Sequence, residues 1–347
     1  MKKAGIVTLF GEYNFGNRLQ NYAVQQVLKK KGLDVETIKY IGLKDDVPVI
    51  KNERDKNRLI KFKKFNENIR FANQIMYKEF EAPENFANDY DYIVMGSDQI
   101  WNFTFDKIFS DKALGSFAPK NKKISFSASF GVNYLPEKGS NLYSMCKENL
   151  EDIKAISVRE TAGKKIVEEI TGRNDVQVLI DPTMMLDEKD WEKVMQRPES
   201  LKTDKFIIKS FLGNVSNEVL KELERIAKEN DCEIIDISDK NSPYYDMGPA
   251  EFKKKKKNAF LVVTDSFHSC VFSILFSTPF VVFKREDNEL ESMYSRIETL
   301  LDTFQMPYRM FNGKITKDIL NNDYSKAHEI LKTEKLKVRN FLDTSLQ

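Results

Sequence analysis

His268 is one of only two histidines in this 347-residue chain, and it follows Asp265 by three positions in NAFLVVTDSFHSCVFSILFSTPFVVF, residues 258–283. With an unperturbed pKa of about 6.5, an imidazole can hold and release a proton near neutrality, so His268 is the first candidate for acid–base chemistry. From Ser266 to Phe283 there is no Asp, Glu, Lys or Arg, although 31% of the chain is charged. A membrane span is one reading of such a run. Against it, Asp265 and His268 fall in its first half, serines punctuate it, and Pro279 would break a spanning helix. The segment reads better as strand Ala259–Val263, turn Thr264–His268, buried helix Ser269–Phe276 and strand Phe280–Phe283. Strands this rich in Val and Phe suit a parallel sheet covered on both faces. The turn then lies at the carboxyl end of its strand, where open α/β sheets hold ligands.

Three further stretches carry polar side chains at strand ends. After a strand at Gly5–Phe10 comes the loop from Gly11 to Asn17, and Asn14, Asn17, Arg18, Gln20 and Asn21 crowd around the start of the next helix. That many hydrogen-bonding groups suit a polyhydroxylated ligand; a turn that merely needs its glycine is the plainer reading. The loop is not G-x-G-x-x-G, so a dinucleotide site has little support. Strand Tyr92–Met95 runs into Gly96-Ser97-Asp98-Gln99-Ile100-Trp101-Asn102. There Asp98 could accept a proton from a hydroxyl and the Trp101 indole could stack on a sugar face, the alternative being an aspartate that caps a helix. Strand Ala155–Val158 ends at Arg159, whose guanidinium fork would fit a carboxylate or phosphate, or simply pair with a neighbouring acid.

The elements that must position these residues follow from the hydrophobic pattern. In the helix Arg18–Lys31, Leu19, Tyr22, Ala23, Val27 and Leu28 recur with the helical period and Gly32 closes the element. Residues 51–80 thread Leu59, Ile60, Phe62, Phe65 and Ile69 through lysines, predicting one or two amphipathic surface helices. Strands are expected at Val35–Tyr40, Lys123–Ser127 and Val176–Ile180, the last ending at Asp181-Pro182-Thr183. The βα pattern restarts at Lys205–Phe211 after a linker-like stretch, Asp187–Ser200. The expected class is therefore α/β, with two Rossmann-like domains, 1–187 and 200–347, facing a cleft. The terminal helix Tyr324–Leu342 is expected to pack back on the first domain, with His328 at the surface.

Composition narrows the function classes. A net charge of +2 gives no global field for nucleic acid. Cys146, Cys232 and Cys270 are odd in number and lack metal spacing, which reads as reduced thiols in a cytoplasmic protein with no metal. MKKAGIVTLF mimics a signal peptide but lacks a small-residue cleavage site and reads as a first strand. The run Lys253–Lys257 reads as a solvated face, with peripheral docking on an anionic membrane as the sharper alternative.

Taken in order, NFGNRLQNYAVQ (14–25), YDYIVMGSDQIWN (90–102), SFSASFG (125–131), AISVRE (155–160), VLIDPT (178–183), GPAEF (248–252), VVTDSFHS (262–269), PFVVF (279–283) and SRIETLL (295–301) resemble the polysaccharide pyruvyl transferases. Ser269 departs from the glycine that often follows the motif histidine. The resemblance implies a GT-B-like fold and transfer of pyruvate from phosphoenolpyruvate to two hydroxyls of a sugar as a cyclic ketal. Phosphoenolpyruvate would be a substrate, with no cofactor. By similarity His268 is the general acid, and Asp98 and Arg159 serve catalysis and donor binding. The donor's carboxylate and phosphate call for cations, so Arg18, Lys284 and Arg285 join Arg159, with Ser266 beside them. Asn14, Asn17, Gln20, Gln99 and Trp101 are the acceptor-binding set. The acceptor would be a sugar, glycan or carrier-linked saccharide. Two other readings are a GT-B glycosyltransferase using a nucleotide sugar and a non-catalytic glycan-binding protein of the same fold.

Overall fold

The computed structural model describes residues 1–10, 14–42, 50–83, 85–195, 205–251, 259–285 and 294–347. Gly11–Tyr13 of the first loop and the lysine run 253–257 lie outside these residues. The chain forms two compact units: Met1–Val49, Asn66–Leu186 and Thr333–Gln347 make the first, Ile50–Phe65 and Asp187–Lys332 the second. This differs from the single division expected between 187 and 200. Part of the reason is helix α2 (Glu53–Asn66), which is tied to its own unit when Arg54 donates to the carbonyls of Asn241 and Ser242, both at 2.8 Å, and Arg58 to that of Tyr245 at 2.7 Å.

The first unit is built on β1 (Lys3–Leu9), β2 (Asp34–Ile41), β3 (Phe71–Tyr77), β4 (Tyr92–Met95), β5 (Lys123–Ala128), β6 (Ala155–Val158) and β7 (Gln177–Val178). They form one parallel sheet in the order β3-β2-β1-β4-β5-β6-β7. Order reverses between β1 and β4, so the carboxyl ends of those two strands flank the position where ligands bind in such sheets. β1 and β4 bury nearly every residue, as strands covered on both faces must. β3 was not anticipated: FANQIMY shows no alternation, and Asn73, Gln74 and Ile75 are all exposed at the sheet edge.

Helix α1 (Phe15–Lys30) begins three residues before the expected start because Asn14 caps it, accepting from Asn17 N at 3.2 Å. It is buried far beyond one apolar stripe, and Asn17, Arg18, Gln20, Asn21 and Gln25 are among the buried residues. Polar groups tolerate burial when they are hydrogen-bonded. Thus Gln25 donates to Thr37 Oγ1 at 2.8 Å and to Arg70 O at 2.7 Å, while Thr37 donates to Asn21 Oδ1 at 2.6 Å. Helices α3 (Asn141–Glu151) and α4 (Thr161–Thr171) also belong to this unit.

In the second unit, β8 (Phe206–Ser210), β9 (Glu233–Asp236), β10 (Leu261–Thr264) and β11 (Phe280–Val282) pair in parallel in the order β11-β10-β8-β9. Here the order reverses between β8 and β10. Its helices include α5 (Glu188–Glu192), α6 (Asn217–Glu229), α7 (Phe267–Leu275), α8 (Ser295–Thr303), α9 (Lys317–Leu320) and α10 (Ser325–Ser345), α10 running on into the first unit. Residues 267–274 of α7 are all buried, which explains the uncharged stretch without a membrane. Among the described residues no helix is long and apolar enough to cross one. His328, expected at the surface, is half-buried: its Nε2 lies 3.3 Å from Ser277 Oγ.

Candidate functional site

Each unit gathers polar side chains at its point of strand reversal. In the first, Asp98 follows β4 with φ of 64°, a left-handed conformation that a residue with a Cβ rarely adopts. The residue is 4% exposed, and its carboxylate accepts from Asn17 Nδ2 at Oδ2, from Gln99 N at Oδ1 over 3.0 Å, and from Arg159 Nη2 at Oδ1 over 3.3 Å. Arg159 also donates from Nη1 to Asp181 Oδ2 at 2.7 Å. Burial opposes the guanidinium charge, but Asp181, Asp98 and Glu160 together outweigh it and raise the Arg159 pKa above its ordinary value.

Asp181 is as fully engaged as Arg159. Its Oδ1 accepts from Thr183 N at 3.0 Å and Thr183 Oγ1 at 2.7 Å, and its Oδ2 from Ser97 Oγ at 3.1 Å as well as from Arg159. Glu160 Oε1 accepts from Ser129 Oγ at 3.0 Å and Phe130 N at 2.8 Å, which fixes the chain beyond β5. Neither Asp181 nor Glu160 was singled out from sequence. The usable signal was an acid directly after an apolar strand, as in VLIDP.

Several expected ligand residues are buried and engaged within the unit. Trp101 is fully buried, packs on Phe130 with ring centroids 5.4 Å apart, and donates from Nε1 to Ala113 O at 3.0 Å, so neither ring face meets solvent. Gln20 is fully buried, donating to Thr8 Oγ1 at 2.7 Å and accepting from Ser97 N at 3.1 Å. Arg18 is fully buried with its guanidinium 4.0 Å from the centre of the Phe10 ring. Arg159 lies in the same first-unit cluster and is 3% exposed, so its fork is spent on two aspartates rather than presented to solvent. Asn14 is exposed and Gln99 half-buried.

In the second unit His268 is the second residue of α7 and is 8% exposed. Three residues earlier, the side chain of Asp265 is wholly buried. It accepts from Leu212 N at 2.8 and 3.0 Å, from Gly213 N at 3.0 Å, and from Arg285 Nε at 2.6 Å. Residues 211–213 follow β8 and Asp265 follows β10, so the carboxylate ties together the two strands that flank the reversal. Ser266 is half-buried, its N–H donating to Thr264 Oγ1 at 3.0 Å, and Lys284 is exposed. A separate cavity of about 320 Å³, lined by Lys3, Glu36, Arg70 and Tyr90, sits at the amino ends of β1–β4, away from both clusters.

The family model described as polysaccharide pyruvyl transferase matches residues 14–288, most of both units. The chain belongs to the polysaccharide pyruvyl transferase family. Membership makes it a transferase of polysaccharide biosynthesis with a sugar or glycan acceptor. Among solved structures, a Listeria monocytogenes protein described as a UDP-N-acetylglucosamine 2-epimerase aligns with a TM-score of 0.50 and 11% identity, over 96% of this chain and 89% of that one. The MurG of Acinetobacter baumannii aligns at a TM-score of 0.44 and 12% identity, over 97% and 95%. At 11% identity the likeness to the Listeria protein is one of fold: this pyruvyl transferase family member is a GT-B-like chain of two Rossmann-like units. No functionally curated protein matches it significantly.

Proposed function

We propose that the chain moves pyruvate from phosphoenolpyruvate onto two hydroxyls of one sugar, forming a cyclic ketal during synthesis of a capsule, exopolysaccharide or wall polymer. The observation that carries this reading, beside family membership, is the placement of His268. One of two histidines in the chain occupies the first turn of a buried helix at the reversal point of the second sheet.

The chemistry asks for an acid there. His268 delivers a proton to the methylene carbon of phosphoenolpyruvate, leaving a cation at the carbon that bears the phosphate ester. The first sugar hydroxyl adds to that carbon and gives up its proton. Phosphate then leaves with the electrons of its C–O bond, and the second hydroxyl closes the ring, losing its own proton. Asp98 takes a proton from an acceptor hydroxyl, held in place by Asn17, Gln99 N and Arg159. In this reading Arg159 orients that base, while the donor's negative charges fall to Arg285 with Lys284 and Ser266. Asn14 and Gln99 serve the acceptor. Phosphoenolpyruvate places the reaction in the cytoplasm, and contact with a membrane through Lys253–Lys257 would bring the enzyme to a lipid-linked acceptor.

The test is to incubate purified protein with phosphoenolpyruvate and candidate saccharides. Acceptor-dependent phosphate release and a new ketal methyl signal by NMR are expected. Consumption of a nucleotide sugar without phosphoenolpyruvate would replace this reading with the glycosyltransferase one.

A further inference from the structure

We infer that Asp265 is a positioning residue that sets the Arg285 guanidinium to receive the anionic end of the donor. The inference rests on the phosphoenolpyruvate reading of the second-unit site. Asp265 is itself fixed independently of Arg285, because the Leu212 and Gly213 N–H groups donate to its carboxylate. It then engages Arg285 through Nε at 2.6 Å, with Nη2 3.5 Å from the Asp265 carbonyl oxygen. Arg–carboxylate pairs are frequently bidentate, with two parallel N–H···O bonds to the acid. Here the contact is from the inner nitrogen, and among the described residues no side chain accepts from Nη1.

Two more contacts hold the rest of the residue. A Cβ on Gly213 would lie 2.6 Å from Arg285 Cδ, so the Arg285 stem rests directly on that glycine. The Tyr294 hydroxyl accepts from Arg285 N and donates to Phe283 O at 3.2 Å, anchoring the backbone. The side chain is 11% exposed, neither core nor free surface. Stem, backbone and inner nitrogen are therefore all ordered, Nη2 leans on the Asp265 carbonyl, and among the described residues Nη1 meets no side-chain acceptor. Arg285 follows β11 and Asp265 follows β10, which pair directly, and Asp265 stands one helical turn before His268. The same acid thus orders the cation that would hold the donor and stands three residues before the proton source. A guanidinium ordered in advance loses less freedom when the anion arrives, which is the origin of the expected gain in affinity.

Calorimetric titration with phosphoenolpyruvate, beside steady-state kinetics, tests this. Asp265→Asn should raise the Kd for phosphoenolpyruvate about tenfold, a change of about 1.4 kcal/mol. Turnover at saturating donor and the acceptor KM should change less than about twofold. Arg285→Gln should lose at least as much donor affinity, and adding Asp265→Asn to it should cost no more, since one residue acts through the other. Should Asp265→Asn not fold, Gly213→Ala provides the same displacement with both charges kept: its Cβ pushes the Arg285 stem aside, and a similar loss is expected. Unchanged donor affinity in the folded variants, or losses that add in full to those of Arg285→Gln, would overturn the inference. A parent that binds phosphoenolpyruvate without turning it over refutes the pyruvyl-transfer reading, while the affinity comparison still decides the role of Asp265. A parent that does not bind it overturns both.

Discussion

Arg159 and Asp181 meet at 2.7 Å, Nη1 to Oδ2, in side chains that are 1% and 0% exposed. A charge pair this deep is kept by its partners rather than by solvent, and removing one member strands the other. Arg159→Gln leaves Asp98 and Asp181 without the cation they share. It should lower unfolding stability by about 3–5 kcal/mol, read by urea denaturation. Arg159→Lys keeps the charge but cannot reach both carboxylates with a fork and should fall in between. A Lys variant as stable as the parent that lost only donor affinity would return Arg159 to the donor site.

His268→Ala should stay folded, with a melting temperature near that of the parent, because the α7 positions around it are packed through Phe267, Cys270, Val271 and Phe272. Acceptor-dependent phosphate release should fall by ~10²–10⁴-fold, the usual contribution of a general acid. Parental turnover in a folded variant would remove His268 from the mechanism.

Trp101 supports the first unit from inside, so substitution should be felt as stability and not as acceptor recognition. Trp101→Ala should cost about 3–5 kcal/mol. Trp101→Phe should leave the acceptor KM within about twofold, and a large rise in that KM with an unchanged melting temperature would contradict the packing role.

Glu222 connects acid sensitivity to a particular bond set. Hydrogen bonds from Arg225 hold its carboxyl below the ordinary value of 4.5, with burial opposing and the Ile315 N–H adding to the depression. A depressed folded-state pKa means that the stabilisation is complete above the ordinary value and is lost as pH falls through the lower, folded one. Melting temperature followed from pH 6 to pH 3 should therefore drop less steeply in Glu222→Gln than in the parent. Parallel curves would show that the Arg225 pairing adds nothing to stability.

What could be read from sequence was whatever a periodic pattern or an uncharged run imposes. β1, β2, β4, β6 and the β10–α7–β11 segment follow from buried Val, Ile and Phe, whose spacing leaves few alternatives. Polar burial was the blind spot. Asn17, Arg18, Gln20 and Trp101 have ligand-like chemistry, and nothing in a one-dimensional pattern tells that Thr8, Ser97 and Ala113 already satisfy Gln20 and Trp101. Asp181 and Asp265 were passed over for the converse reason: their partners Arg159 and Arg285 lie 22 and 20 residues away. β3 escaped because an edge strand, exposed along three successive residues, carries no two-residue alternation.

The first unit includes Thr333–Gln347, and those residues do specific work in it: Asp343 pairs with Lys31 at 2.5 Å, Tyr92 donates to Leu346 O at 2.6 Å and Lys154 to Ser345 O at 3.0 Å. During synthesis, then, the amino-terminal sheet emerges from the ribosome long before the segment that closes against it. Domains whose sequence is contiguous can finish folding in order of synthesis. This one must wait, holding a nearly assembled sheet with an uncovered seam until the second unit has also been translated, and a nascent chain stalled before residue 333 should remain open to proteases that spare the released protein.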